Sequence, residues 1–273
     1  MGGLSALAAE LLGEAPLRAE PLSGGDLSSV VRLHLPSGRT VIAKSGPQPK
    51  TEAAMLCALS RAGVSAPGIF AAGSRALLLE DLPERGSLSE LGWAELGRAL
   101  KTLHAAVGPA YGWDGDYAFR HVPIENAWLN DWPTFWALRR LLPGADALPP
   151  AMAREVQDLC HNIHDLLPSF PPASLLHGDL WSGNIIACDG RLSGLIDPAC
   201  YYGHGEVDLA MLGLFGRPDP AFWSSYGDPG PGWAIRQAIY QLWPAITHVR
   251  LFGDSYLPMV RDLLARVPVR RAD

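Results

Sequence analysis

Cysteine is scarce in this chain: Cys57, Cys160, Cys188 and Cys200 stand far apart, and no C-x-x-C pair is present. That spacing excludes a disulfide framework and a cysteine-built zinc site, and it fits free thiols in a reducing, cytoplasmic setting. A basic excess is also lacking. Lys and Arg number 22 against 28 Asp and Glu, a formal net charge of −6, so the composition has no electrostatic footprint for nucleic acid and favours small-molecule partners. No uninterrupted apolar run approaches the roughly 20 residues of a membrane span, and no membrane partner is expected. The apolar start, Met1 to Leu12, lacks a basic n-region and contains Glu10; it reads as a short helix rather than an export signal. Ala6 occupies the position where a myristoylation signal after Gly2 requires Ser or Thr.

What the chain does have is a change of texture near Leu82-Pro83. Before it, short strand candidates cover Leu17 to Leu22, Ser28 to Leu35 and Thr40 to Lys44, with Pro36-Ser37-Gly38-Arg39 as a hairpin turn. A helix over Thr51 to Ala62 ends at Gly63, and two further strands fit Ile69 to Ala72 and Ala76 to Leu79. Pro47 and Pro49 bar the helix from extending backward. Beyond the boundary the pattern is mostly helical. From Leu88 to Val107, apolar residues recur at Leu88, Leu91, Leu96, Leu100 and Leu103, a helical stripe expected in the core, with His104 structural. The expected architecture is α+β in two parts, residues 1–82 and 83–273.

Chemistry concentrates in Leu176-His177-Gly178-Asp179-Leu180-Trp181-Ser182-Gly183-Asn184, followed after two short apolar strands by Ile196-Asp197-Pro198. The protein-kinase catalytic loop H-R-D-x-x-x-x-N has the same five-position step from Asp to Asn. Asp179 is the candidate general base. Asp197, ending the run Leu192 to Ile196, stands at the mouth of a strand, where kinases keep a metal-binding aspartate. With Asn184 it offers hard oxygen donors of the kind magnesium takes beside phosphate oxygens. Taken singly, His-Gly-Asp is equally a tight turn and Asn184 an ordinary loop residue; the constellation favours catalysis.

Val41-Ile42-Ala43-Lys44 resembles the kinase V-A-I-K strand in kind. Lys44 is the candidate phosphate anchor, and strand alternation puts Ile42 on its face as an apolar wall for adenine. Glu52, early in the following helix, is its candidate partner; the alternative is a solvent-facing lysine and a glutamate favoured by the helix dipole. Ser23-Gly24-Gly25-Asp26 sits where a phosphate-covering turn belongs, since Gly24 and Gly25 allow close backbone approach, although an ordinary hairpin turn reads the same. Leu77 to Leu82 ends in a hinge whose Glu80 and Leu82 backbone could recognise adenine, with the Glu80 and Asp81 side chains solvated.

Three segments carry a more specific likeness: His177 to Asn184 with Trp181 inside it, Asp197-Pro198-Ala199-Cys200-Tyr201-Tyr202-Gly203-His204-Gly205-Glu206, and Asn130-Asp131-Trp132-Pro133-Thr134-Phe135-Trp136. Weaker similarities run from Lys44 and Glu52 through Tyr111-Gly112 to Tyr240-Gln241-Leu242-Trp243 and Leu251-Phe252-Gly253. On these the chain resembles the fructosamine kinase (ketosamine kinase) family, relatives of the aminoglycoside and choline kinases. The resemblance implies a two-lobed protein-kinase-like fold, ATP and Mg2+ as cofactors, and phosphorylation of the sugar C3 hydroxyl of a ketosamine, whose product falls apart and frees the amine. It further implies Asp179 as base, Asn184 and Asp197 as metal ligands, Lys44 with Glu52 as the nucleotide ion pair, and Asp208 and His177 as structural supports. Trp181 is suited to covering a sugar face; Tyr201, Tyr202, His204, Asp131 and Trp132 are further substrate candidates, with core packing as their alternative. Two rival readings stand beside this one: a kinase for an aminoglycoside or amino alcohol, and a nucleotide-binding pseudokinase.

Overall fold

The structure is a computed structural model that describes residues 3–22 and 29–268. It opens with helix α1 (Gly3–Leu12), strands β1 (Arg18–Pro21), β2 (Val30–His34) and β3 (Thr40–Lys44), helix α2 (Pro49–Arg61), and strands β4 (Ile69–Ala72) and β5 (Leu77–Glu80). The five strands form one antiparallel sheet in the order β1-β2-β3-β5-β4. Alternation along β3 and β5 sorts the apolar residues by face. Val41, Ala43 and Leu78 meet Ala8 of α1 on one side, whereas Ile42, Leu77 and Leu79 meet Ala53 and Leu56 of α2 on the other. Lys44 shares the parity of Ile42 and therefore faces α2. This helix begins earlier than expected, because Pro49 opens it instead of barring it. The first helical position needs no N–H, and the fixed φ of proline suits it.

The second lobe comprises α3 (Glu90–Ala105), β6 (Tyr117–Phe119), β7 (Val122–Ile124), α4 (Trp132–Trp136), α5 (Leu142–Ala145), α6 (Pro150–His161), β8 (Ser174–Leu175), β9 (Ile185–Cys188), β10 (Arg191–Leu195), β11 (Tyr202–Gly203), α7 (Glu206–Leu212), α8 (Pro220–Tyr226), α9 (Trp233–Phe252) and α10 (Leu257–Leu264). Ser89 caps α3 by accepting from the Gly92 N–H. Leu96, Leu100 and Leu103 are buried as expected, but Leu91 is half exposed. The buried row passes through Gly92 instead, where the helix lies against the Gly190 carbonyl of the β9–β10 turn. One residue of offset turns Leu91 outward by about 100°.

Aromatic rings fill the centre of this lobe. Trp132, Phe135, Trp136, Tyr201 and Tyr240 are all essentially inaccessible, and Arg140 is buried with them. Its guanidinium lies 4.1, 4.8 and 5.1 Å from the rings of Tyr201, Phe135 and Trp243, a cation–π cage that offsets part of the lost hydration. The same group donates to the Glu125 carbonyl at 2.7 Å and to Asn126 Oδ1 at 2.8 Å, supplying hydrogen bonds that a buried charge requires. Between the lobes the chain lies along the β9–β10 hairpin: the Arg85 N–H donates to the Ala187 carbonyl at 2.8 Å, and the Ser193 hydroxyl to the Pro83 carbonyl at 2.7 Å. No helix among the described residues is long and apolar enough to cross a membrane.

Candidate active site

Lys44, at the end of β3, sends its ammonium across the sheet face toward α2, where Nζ lies 2.8 Å from Glu52 Oε1. The same nitrogen is 2.8 Å from Asp197 Oδ1. Burial works against the lysine charge, yet the two carboxylates outweigh it and hold its pKa above the ordinary value. Asp197 itself has φ +54°, a left-handed conformation that a non-glycine residue adopts only under local constraint. The constraint is visible on both sides: the Ile196 N–H donates to the Asn184 carbonyl at 3.0 Å, and the Ala199 N–H to the His177 carbonyl at 2.8 Å.

The loop carrying Asp179 is held from behind. Asp208, buried on α7, accepts from the His177 N–H at 2.8 Å and the Gly178 N–H at 2.9 Å, and lies 3.1 Å from His104 Nε2 on α3. Burial works against its ionisation, but these hydrogen bonds, the one from His104 foremost, keep its pKa below the usual carboxylate range. His177 accepts the Asp179 N–H on Nδ1 at 3.3 Å, so its proton sits on Nε2, which donates to the Ile196 carbonyl at 2.9 Å. Burial lowers the pKa of this ring and keeps it neutral. Gly178 has φ +81°, and a β-carbon there would collide with the Ala199 carbonyl oxygen; only glycine fits.

Asp179 thereby points at the cleft beside Asn184, whose Nδ2 donates to the Asp179 carbonyl at 2.7 Å and to Oδ2 at 3.1 Å. Burial and the neighbouring Asp197 push the Asp179 pKa up to about 7, with the Asn184 bond opposing them. Both Asn184 donations fix the amide and leave its Oδ1 as an oxygen donor. The Ile196–Asn184 backbone bond keeps the segments that carry Asp197 and Asn184 side by side. No group of three or more His, Cys, Asp or Glu side chains among the described residues could hold a metal ion by itself. A sparse, all-oxygen donor set suits magnesium, which completes its shell with phosphate and water.

The other expected residues fall into distinct places. Ile42 flanks the α2-side cluster. Glu80 is exposed as expected, with its Oε2 accepting from the Gly68 N–H at 3.0 Å, whereas Asp81 is partly buried and takes Arg32 in a two-pronged pair at 2.7 and 2.9 Å. The Glu80 N–H is bound to the Gly68 carbonyl at 2.8 Å. Gly24 and Gly25 lie outside the described residues. Trp181 is 38% exposed and meets Phe215 edge-on at 6.3 Å.

Four of the substrate candidates are structural by position. Trp132 is fully buried and donates to the Tyr240 hydroxyl at 3.0 Å, and Tyr201 lies in the Arg140 cage; neither has a face to offer a ligand. Asp131 caps α4 by accepting from the Thr134 N–H at 2.9 Å. His204, 2.8 Å from the Tyr240 hydroxyl, has its pKa lowered to about 3 by burial and nearby cations. Tyr202 stacks between Trp113 and Trp128. A residue the sequence did not single out is Tyr117, whose hydroxyl is 3.5 Å from Glu52 Oε2. The alternation of Tyr117 and Phe119 with Val122 and Ile124 is the signal that marks its hairpin.

A sheet lysine paired with a helix glutamate, facing a D-x-x-x-x-N loop and a strand-end aspartate, has the form of a protein-kinase-like phosphotransferase. The fold agrees: the aminoglycoside phosphotransferase APH(4)-Ia, solved with AMP-PNP and hygromycin B, superposes with a TM-score of 0.67 at 14% identity, over 97% of this chain and 96% of that one. A solved fructosamine-3-kinase relative from Thermobifida fusca reaches a TM-score of 0.88 at 28% identity, covering 97% of this chain and 98% of the other. The Escherichia coli K12 protein YniA, named a probable ketoamine kinase, is 32% identical over 97% of this chain and 98% of its own length. The family model described as fructosamine kinase matches residues 9–269. The chain belongs to the fructosamine kinase family, whose members are phosphotransferases acting on hydroxyl groups.

Proposed function

We propose that this protein is an ATP- and magnesium-dependent ketosamine kinase that phosphorylates the C3 hydroxyl of a fructosamine or ribulosamine adduct and so promotes its deglycation. The observation that carries the reading is the double contact of Lys44 with Glu52 and Asp197, opposite a base whose pKa is poised near 7. Lys44 takes the phosphates, with Glu52 fixing its direction. Ile42 and the Glu80–Leu82 hinge take adenine, and the Gly24-Gly25 turn covers the phosphates. Asn184 and Asp197 would hold the metal, which when bound would supply positive charge to offset that of the transferred phosphoryl group. Asp179 receives the acceptor hydroxyl proton, and Trp181 covers the sugar. The lobes divide near Leu82.

Catalysis in this reading is mainly positioning and charge compensation. Family membership and the retained acids favour it over a pseudokinase, and four free cysteines support a cytoplasmic setting. Phosphorus NMR on a panel of ketosamines, aminoglycosides and amino alcohols tests it. A C3-phosphorylated ketosamine that then decays with release of the amine is the expected product. Turnover confined to aminoglycosides or amino alcohols would overturn the substrate assignment, and ATP binding without any turnover would indicate a pseudokinase.

A further inference from the structure

Exposed aromatic residues scattered singly over a surface need no explanation, but rings in unbroken contact beside a reactive loop do. Trp181 stands two residues after Asp179, its ring laid so closely on Gly183 that a β-carbon there would collide with it. Its neighbour Phe215 follows α7 and is 5.0 Å from the ring of His248 on α9. His248 in turn lies 5.4 Å from Phe252 and 4.9 Å from Tyr256, which are 5.9 Å from each other. Three separate parts of the chain thus contribute to one ridge. Trp181, Phe215 and Phe252 are 38%, 39% and 37% exposed, so the ridge keeps aromatic surface in water along its length.

Resting on the ketosamine kinase reading, we propose that this ridge is the second half of the acceptor site, a subsite for the amine-borne part of the adduct that favours carriers with an aromatic ring. Covalent connectivity makes the argument. The amine is attached to sugar C1, two carbons from the C3 hydroxyl. With that hydroxyl at Asp179 and the sugar over Trp181, the nitrogen and its substituent leave the sugar along the surface that continues Trp181, and Phe215 is the ring in contact with it.

The chemistry of the ridge suits such a group. A protonated secondary amine is attracted to ring faces, and the exposed carboxylate of Asp254 stands in the turn between Phe252 and Tyr256. His248 adds no opposing charge: its Nδ1 is bonded to the Pro244 carbonyl at 2.7 Å, and burial lowers its pKa. That bond also fixes the ring on which Phe215, Phe252 and Tyr256 converge, so the surface is formed in advance of binding.

The test compares two adducts of one sugar, N-benzyl and N-methyl fructosamine, by steady-state kinetics and by calorimetry in the presence of AMP-PNP and magnesium. Stacking of one ring is worth about 0.5–1.5 kcal/mol, so the wild type should prefer the benzyl adduct in kcat/KM by about twofold at least and by about twelvefold at most. F252A and Y256A should each cut that ratio, while F252L, which keeps apolar bulk without the ring, should cut it as F252A does. A general folding defect would lower both adducts by one common factor, and that result, like a wild type without preference, overturns the subsite. Equal calorimetric binding of both adducts removes the ridge and leaves the kinase reading intact; binding of neither removes both.

Discussion

Asp197 Oδ1 lies 2.8 Å from the ammonium of Lys44, so a strand end in one lobe and a strand end in the other meet at a single charge contact. Since Glu52 holds the same nitrogen, the phosphate-anchoring group and the metal-binding group of the proposed mechanism are positioned by one another. The variant Asp197→Ala removes the proposed metal ligand and one partner of the lysine together. Magnesium-dependent nucleotide binding should disappear, and titration calorimetry with and without magnesium checks it. Unchanged affinity removes Asp197 from the metal site.

Asp179→Asn keeps the shape of the loop and deletes the proton acceptor. Turnover should fall by about a hundredfold or more, the scale of general-base loss, with nucleotide affinity nearly intact. Near-normal kcat in single-turnover assays refutes the role.

The raised Asp179 pKa carries a stability consequence in the metal-free protein. An unfolded aspartate ionises near 3.9, whereas the folded one holds its proton until about 7. Between those values the native state binds more protons, so this group makes stability fall as pH rises through the window. Asp179→Asn abolishes that loss. With EDTA present, its melting temperature at pH 8 should exceed that of the wild type by roughly 5–10 °C, and the gap should close toward pH 4. A gap independent of pH would assign the effect to packing.

Asp208→Asn retains shape but converts one of two acceptor oxygens, each of which takes one backbone N–H, into a donor. Breaking a buried charged network of this kind costs roughly 3–5 kcal/mol. Denaturant unfolding measures the loss, and kcat should drop with it because Gly178 and Asp179 lose their support. Wild-type stability would show that the loop stands without the clamp.

For Gly178→Ala, left-handed strain is added to a collision with the Ala199 carbonyl. A loss of about 2 kcal/mol or more is expected, read as a lowered thermal midpoint. A variant as stable as the wild type would mean that the Ala199 backbone, between β10 and β11, can shift freely.

Much of this was legible in the residues because the relevant signals are local. The strand at Thr40–Lys44 falls on its expected bounds, and spacing alone singled out Asp179, Asn184 and Asp197. Side-chain environment is another matter. Trp132 and Tyr201 sit in segments that resemble the family as strongly as Trp181 does, yet only coordinates separate a ring packed on Arg140 from one facing water. Tyr117 reaches Glu52 across 65 positions of sequence, and no periodicity encodes such a pairing. Leu91 and Gly92 show the same limit on a smaller scale: the neighbouring Gly190 turn decides which residue faces inward.

The three-way grip of Asp208 on His177, Gly178 and His104 means that the reactive loop, besides its own internal bonds, borrows rigidity from two helices behind. Damage to α3 or α7, remote from any ligand, should therefore surface as an enzyme that still folds and still captures nucleotide but has lost its timing.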